Sequence, residues 1–82
     1  GKTVQVRLGS VPGSDKALAG KEFARLKGLA GGKLSGASPS YESVTLPKGS
    51  FVRINVSMDS TSARSLCDTL SSKGAPCIVL GQ

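Results

Sequence analysis

Two stretches, Val4-Gln5-Val6-Arg7-Leu8-Gly9-Ser10 and Val52-Arg53-Ile54-Asn55-Val56-Ser57-Met58, carry the same alternation of apolar and polar side chains. A period of two is that of a strand buried on one face only. Each stretch leads into a segment with helical spacing and then into another strand-like segment, so the chain reads as two strand-helix-strand halves. That βαββαβ order predicts an α+β domain of the ferredoxin-like or RNP-like kind, a four-stranded antiparallel sheet backed by two helices with the first and third strands central. Gln5, Arg7, Arg53, Asn55 and Ser57 then face away from the core, on a sheet surface that no helix covers.

Around these strands the other elements follow from their punctuation. The first strand is expected over about Thr3 to Leu8, with Val4, Val6 and Leu8 inward, and Gly9, Pro12 and Gly13 end it. Ser14 or Asp15 can cap a helix whose apolar face is Leu18, Phe23, Leu26 and Leu29, assisted by Ala19 and Ala30, and Gly31-Gly32 stops it. Residues 33–40 read as a loop. Tyr41 to Leu46 is a modest second strand, with Val44 and Leu46 inward, joined through Pro47-Lys48-Gly49 to a third strand at about Ser50 to Ser57. Asp59, Ser60 or Thr61 caps a second helix with Ala63, Leu66, Cys67 and Leu70 on one stripe, and Gly74 ends it. Pro76 opens a last strand, Cys77 to Leu80. With Cys77 and Val79 turned to the helix, Ile78 and Leu80 lie on the outer face.

Eighty-two residues form a single domain spanning 1–82, with room for one core layer and a shallow binding surface instead of a deep enclosed site. Eleven Lys and Arg against five acidic residues give a net charge of +6, which suits an anionic partner and also serves simple solubility. Residues 1–37 hold seven of the basic side chains and two of the acidic ones, so the first half should be the more positive. No apolar run approaches the length needed to cross a bilayer, and Gly1-Lys2-Thr3 lacks the apolar segment of a secretion signal. The missing initiator Met reads as a domain excised from a longer chain.

Catalysis is not expected. The chain has no His, and its five carboxylates, Asp15, Glu22, Glu42, Asp59 and Asp68, fall at caps, on helices or on a short strand, where solvated structural roles suffice. Cys67 and Cys77 are the only thiols, too few for a zinc site, which leaves a disulfide or two buried reduced thiols. Gly31-Gly32-Lys33 lacks the first glycine and the Ser or Thr of a phosphate loop, and Asn55-Val56-Ser57, a glycosylation match, falls inside a predicted central strand. RNA-binding domains of this fold class stack bases on exposed aromatic rings of the central strands. Here only Phe51 shares the outward parity, so the positive charge alone keeps a weak nucleic-acid reading in play.

At these residues the chain resembles the SPOR domain, the sporulation-related repeat found at the C-terminal end of many bacterial envelope and cell-division proteins. The family's first strand often reads roughly Val-Gln-Leu-Gly-Ser-Phe and its third Arg-Val-Arg-Val-Gly-Pro-Phe. The corresponding runs are Val6-Arg7-Leu8-Gly9-Ser10-Val11 and Arg53-Ile54-Asn55-Val56-Ser57-Met58-Asp59. Ala63, Leu66-Cys67, Leu70, Gly74 and Cys77-Ile78-Val79 are similar to a frequent SPOR ending. Arg7 stands where the family commonly has Gln, Val11 and Asp59 replace aromatic positions, and Ser57 replaces a turn glycine.

The resemblance implies binding of septal peptidoglycan glycan strands that amidases have stripped of stem peptides, in the bacterial periplasm at the division septum. Each N-acetylmuramic acid of such a strand carries a free lactyl carboxylate. Arg7 and Arg53 can pair with those carboxylates by forked hydrogen bonds, Gln5 and Asn55 can meet acetamido and hydroxyl groups, and Ile78 or Tyr41 can contact sugar faces. The expected glycan-binding set is Gln5, Arg7, Ser10, Arg53, Asn55, Ser57 and Ile78, with no metal and no cofactor. The domain itself is expected to be monomeric, to bind no nucleic acid, and to belong to a membrane-anchored or secreted parent protein. For Cys67 and Cys77 the disulfide is the expectation, consistent with an oxidising compartment. The competing readings are an RNA- or polyanion-binding domain and a protein-interaction module that uses a helix face.

Overall fold

The computed structural model describes residues 2–80; Gly1, Gly81 and Gln82, the ends of the 1–82 span, lie outside the described residues. Strand β1 covers Thr3–Pro12, helix α1 Ala17–Leu29, strand β2 Pro39–Leu46, strand β3 Gly49–Asp59, helix α2 Ser60–Ser72 and strand β4 Ile78–Val79. The sheet order is β2-β3-β1-β4, every neighbouring pair is antiparallel, and β1 and β3 are central. The expected α+β architecture is thus the one observed. The alternation that defines β1 and β3 sends Val4, Val6, Leu8, Ile54 and Val56 to one side, where Ala19, Phe23 and Leu26 of α1 and Ala63, Leu66 and Leu70 of α2 close over them.

An aspartate precedes each helix, Asp59 as the cap of α2 and Asp15 one residue before Lys16, the cap of α1. The Asp15 carboxylate accepts a hydrogen bond from the Ala17 N–H at 2.9 Å, and the Asp59 carboxylate accepts one from the Thr61 N–H at 2.9 Å, each satisfying an amide that the helix leaves unpaired. At the end of α2, Gly74 adopts a left-handed φ of 75°, and the Ala75 N–H reaches back to the Leu70 carbonyl at 2.9 Å. This six-to-one bond turns the chain toward β4 and buries Ala75. The end of α2 is also tied to α1, because Lys73 Nζ donates to the Leu29 carbonyl at 2.6 Å.

Four expectations are corrected. First, β1 does not stop at Gly9. Arg7 pairs with Asn55 and Ser10 with Arg53, so Leu8 and Gly9 together oppose Ile54 in a bulge, which Gly9 permits at φ 114°. The bulge has a functional consequence: without it Ser10 would share the inward parity of Leu8. Second, residues 33–40 are not all loop, since successive turns seat Leu34 in the core with no exposed surface and β2 starts at Pro39.

Third, the facing of β2 is the reverse of that expected. The two-residue turn pairs Leu46 with Gly49, hence Val44 with Phe51 and Tyr41 with Ile54, so Val44 and Leu46 lie on the outer face and Tyr41 on the helix side. Register is set by the turn, and an edge strand that buries almost nothing cannot override it. Fourth, β4 is only Ile78–Val79, shorter than Cys77 to Leu80. Its sidedness matches expectation: Ile78 pairs with Arg7 and Val79 with Val6.

Cys67 and Cys77 form a disulfide, with Cα atoms 5.1 Å apart. It links α2 to the start of β4, the least extensively paired strand. Closing so short a loop stabilises the fold by roughly 2–3 kcal/mol on the chain-entropy model.

Candidate glycan-binding face

The outer face of the sheet is built by strand parity, the bulge at Gly9 and the register set by the β2–β3 turn. From β1 it receives Gln5, Arg7 and Ser10, from β3 Phe51, Arg53, Asn55 and Ser57, from β4 Ile78, and from β2 Ser40, Glu42 and Val44. Because both helices pack on the opposite side, no element of secondary structure among the described residues lies over this surface. Phe51 to Ser57 alone extends about 20 Å along one strand, at the usual rise per residue.

All seven residues expected from the sequence meet here. Gln5 lies directly across from Ser57, and its Nε2 donates to the Ser57 hydroxyl. Ser10 is opposite Arg53, with the half-buried guanidinium-bearing side chain flanked by the exposed serine. Ile78, 55 % exposed, flanks Arg7 on the far strand. Tyr41, the further candidate for sugar contact, is not among them. It lines a depression of 240 Å³ with Lys16, Ala19, Ser43 and Val52 on the helix side of the sheet.

At the centre, Arg7 and Asn55 are cross-strand partners, and Asn55 is only 9 % exposed although its side chain points away from the core. The reason is crowding by long neighbours on both flanking strands. Asn55 Nδ2 donates to Glu42 Oε1 at 3.3 Å, and the same oxygen lies 3.9 Å from Arg7 Nη2. Arg7 Nε and Asn55 Oδ1 are buried and have no hydrogen-bond partner among the described residues. A buried donor and a buried acceptor on paired residues are costly to leave unmatched, so this pairing does not serve stability.

Glu42 was missed as a member of this face. Its neighbours in sequence, Tyr41 and Ser43, gave no sign of its direction, because the facing of β2 follows only from the turn. The same reversal creates a second unexpected feature, a groove of 170 Å³ lined by Ser10, Val44, Leu46, Lys48, Phe51 and Arg53. One end of the face therefore combines an aromatic ring, two aliphatic side chains and two cations. That combination suits a sugar ring that carries a carboxylate, the apolar groups covering its C–H surface and the cations meeting its charge.

Among the described residues no group of three or more His, Cys, Asp or Glu is arranged to hold a metal ion, and no helix is long and apolar enough to cross a membrane. One perturbed ionisation lies on α1, away from the face. Glu22 is held below the usual carboxylate range chiefly by hydrogen bonds from Arg25, whose guanidinium reaches it at 2.6 and 2.8 Å. No protein-family model, curated protein or solved structure matches the chain.

Proposed function

We propose that this domain binds glycan strands of septal peptidoglycan that lack stem peptides, without catalysis, and so targets a parent protein to the bacterial division site. The observation that carries the reading is the meeting of Gln5, Arg7, Ser10, Arg53, Asn55, Ser57 and Ile78 on one uncovered sheet face. The sequence resemblance to SPOR domains supplies the ligand class. Arg53 takes a lactyl carboxylate, because it lines the groove together with Ser10, Phe51 and a second cation, Lys48. Gln5, Asn55 and Ser57 take acetamido and hydroxyl groups along the central strands, and Phe51, near the start of β3, and Ile78, on the β4 edge, cover sugar faces.

Binding of this kind adds several modest contacts on a preformed surface, which yields moderate affinity and lets local abundance of the ligand decide where the domain resides. The matched cysteine pair is compatible with the oxidising periplasm. The test is sedimentation with purified sacculi before and after amidase treatment. Retention should rise after the stem peptides are removed. Equal retention in both cases contradicts the ligand, and no retention contradicts the function.

A second reading, a polyanion such as RNA, draws on Phe51 lying beside Arg53 and Lys48 in the groove. It is the weaker one, because a single ring serves the central strands and Glu42 stands opposite Arg53. A steep loss of binding with salt, together with no glycan binding, favours it.

A further inference from the structure

We propose that Glu42 is a specificity-determining residue that filters ligands by charge density, admitting a polymer with widely spaced carboxylates and turning away one that is charged at each unit. The admitted ligand rests on the glycan reading above; the exclusion does not. Glu42 lies opposite Arg53 across β2 and β3, and one of its carboxylate oxygens is 3.3 Å from Asn55 Nδ2 and 3.9 Å from Arg7 Nη2. The other acidic side chains sit elsewhere: Asp15 and Asp59 receive the first amides of the helices, and Glu22 and Asp68 ride on α1 and α2. Glu42 is thus a negative charge set among the positive groups of the face, with 49 % of its side chain exposed to an incoming ligand.

Its position divides the face electrostatically. A denuded glycan bears a carboxylate on every second sugar, so it can place one at Arg53 while a neutral hydroxyl or acetamido N–H donates to Glu42. A polyphosphate has no neutral unit to offer, and on a densely sulfated polysaccharide such as heparin any free hydroxyl is flanked by charges. A charge of either polymer must lie against the carboxylate, and like charges at close range suppress the wrong partner more than they weaken the right one.

Glu42→Gln separates charge from shape, since a glutamine oxygen still accepts from Asn55. The control is Asp68→Asn, which changes net charge equally from an exposed site on α2. Heparin is the dense-anion probe and amidase-treated sacculi are the sparse one, both at fixed ionic strength. Glu42→Gln should tighten heparin binding about fivefold, the scale of removing one nearby like charge, and Asp68→Asn less than twofold. Sacculus binding by Glu42→Gln should change less than heparin binding does. Equal gains for the two variants, or none for Glu42→Gln, overturn the filter. If sacculi bind neither wild type nor variant while Glu42→Gln gains on heparin, exclusion of dense anions stands and the glycan reading falls.

Discussion

Asn55 sits directly opposite Arg7 across the two central strands, and each buries one polar atom, Oδ1 and Nε respectively, that has no hydrogen-bond partner among the described residues. A fold under selection for stability alone gains nothing from this pairing. Replacing a poorly satisfied buried amide by an apolar group of similar shape is nearly neutral or stabilising. Asn55→Leu should therefore keep the melting temperature within about 4 °C of wild type, a shift that corresponds to roughly 1 kcal/mol or less in a domain of this size. The same variant should lose sacculus binding. A loss of more than 10 °C, measured by circular dichroism, shows that Asn55 serves the fold instead.

Leu34 makes a complementary prediction about the core. It has no exposed surface and comes from a segment rich in glycine and serine. Leu34→Ala should destabilise the domain by about 2–5 kcal/mol, the range for truncating a fully buried leucine. Urea denaturation at neutral pH measures it, and a change under 1 kcal/mol places Leu34 outside the core.

The disulfide can be removed without touching the face. Cys67→Ala with Cys77→Ala should cost roughly 2–3 kcal/mol by chain entropy and leave the affinity of the folded domain unchanged, because neither cysteine lies on the outer surface. Alkylation of the unreduced wild type, followed by intact mass, should add no label. Two labels contradict the bond.

Glu22 provides a pH signature. Its carboxylate is depressed in the folded state, first by hydrogen bonding from Arg25, so the stability it contributes is present above its unfolded pKa, near 4.5, and fades as pH falls through the lower folded value. Glu22→Gln should lower the melting temperature by roughly 1–3 °C at pH 7, as expected for an exposed pair three residues apart on a helix. That deficit should shrink progressively as pH falls below 4.5. A deficit that does not change with pH assigns the effect to lost packing.

The sequence disclosed whatever local pattern enforces. The alternation in Val4 to Leu8 and Val52 to Val56, the aspartates before the helices and Gly74 after the second one led to the observed order and sheet, and the outward parity of Arg7, Arg53 and Asn55 followed. Where a facing depended on an event elsewhere, the pattern was silent. Ser10 turns outward through the bulge at Gly9, and Val44, Tyr41 and Glu42 take their sides from the Pro47-Lys48 turn, because β2 buries too little to declare its own. Leu34 escaped notice for a similar reason: a lone apolar residue among turn formers has no period.

The proposed binding surface is the outer face of the sheet. Titration of the isotopically labelled domain with amidase-released, peptide-free glycan fragments, followed by backbone and side-chain amide shifts, tests it most directly. Perturbations should gather at Gln5, Arg7, Ser10, Arg53, Asn55 and Ser57, and include the Asn55 side-chain amide. Shifts confined to α1 and α2, or none at fragment concentrations that saturate the protein's retention on sacculi, contradict it.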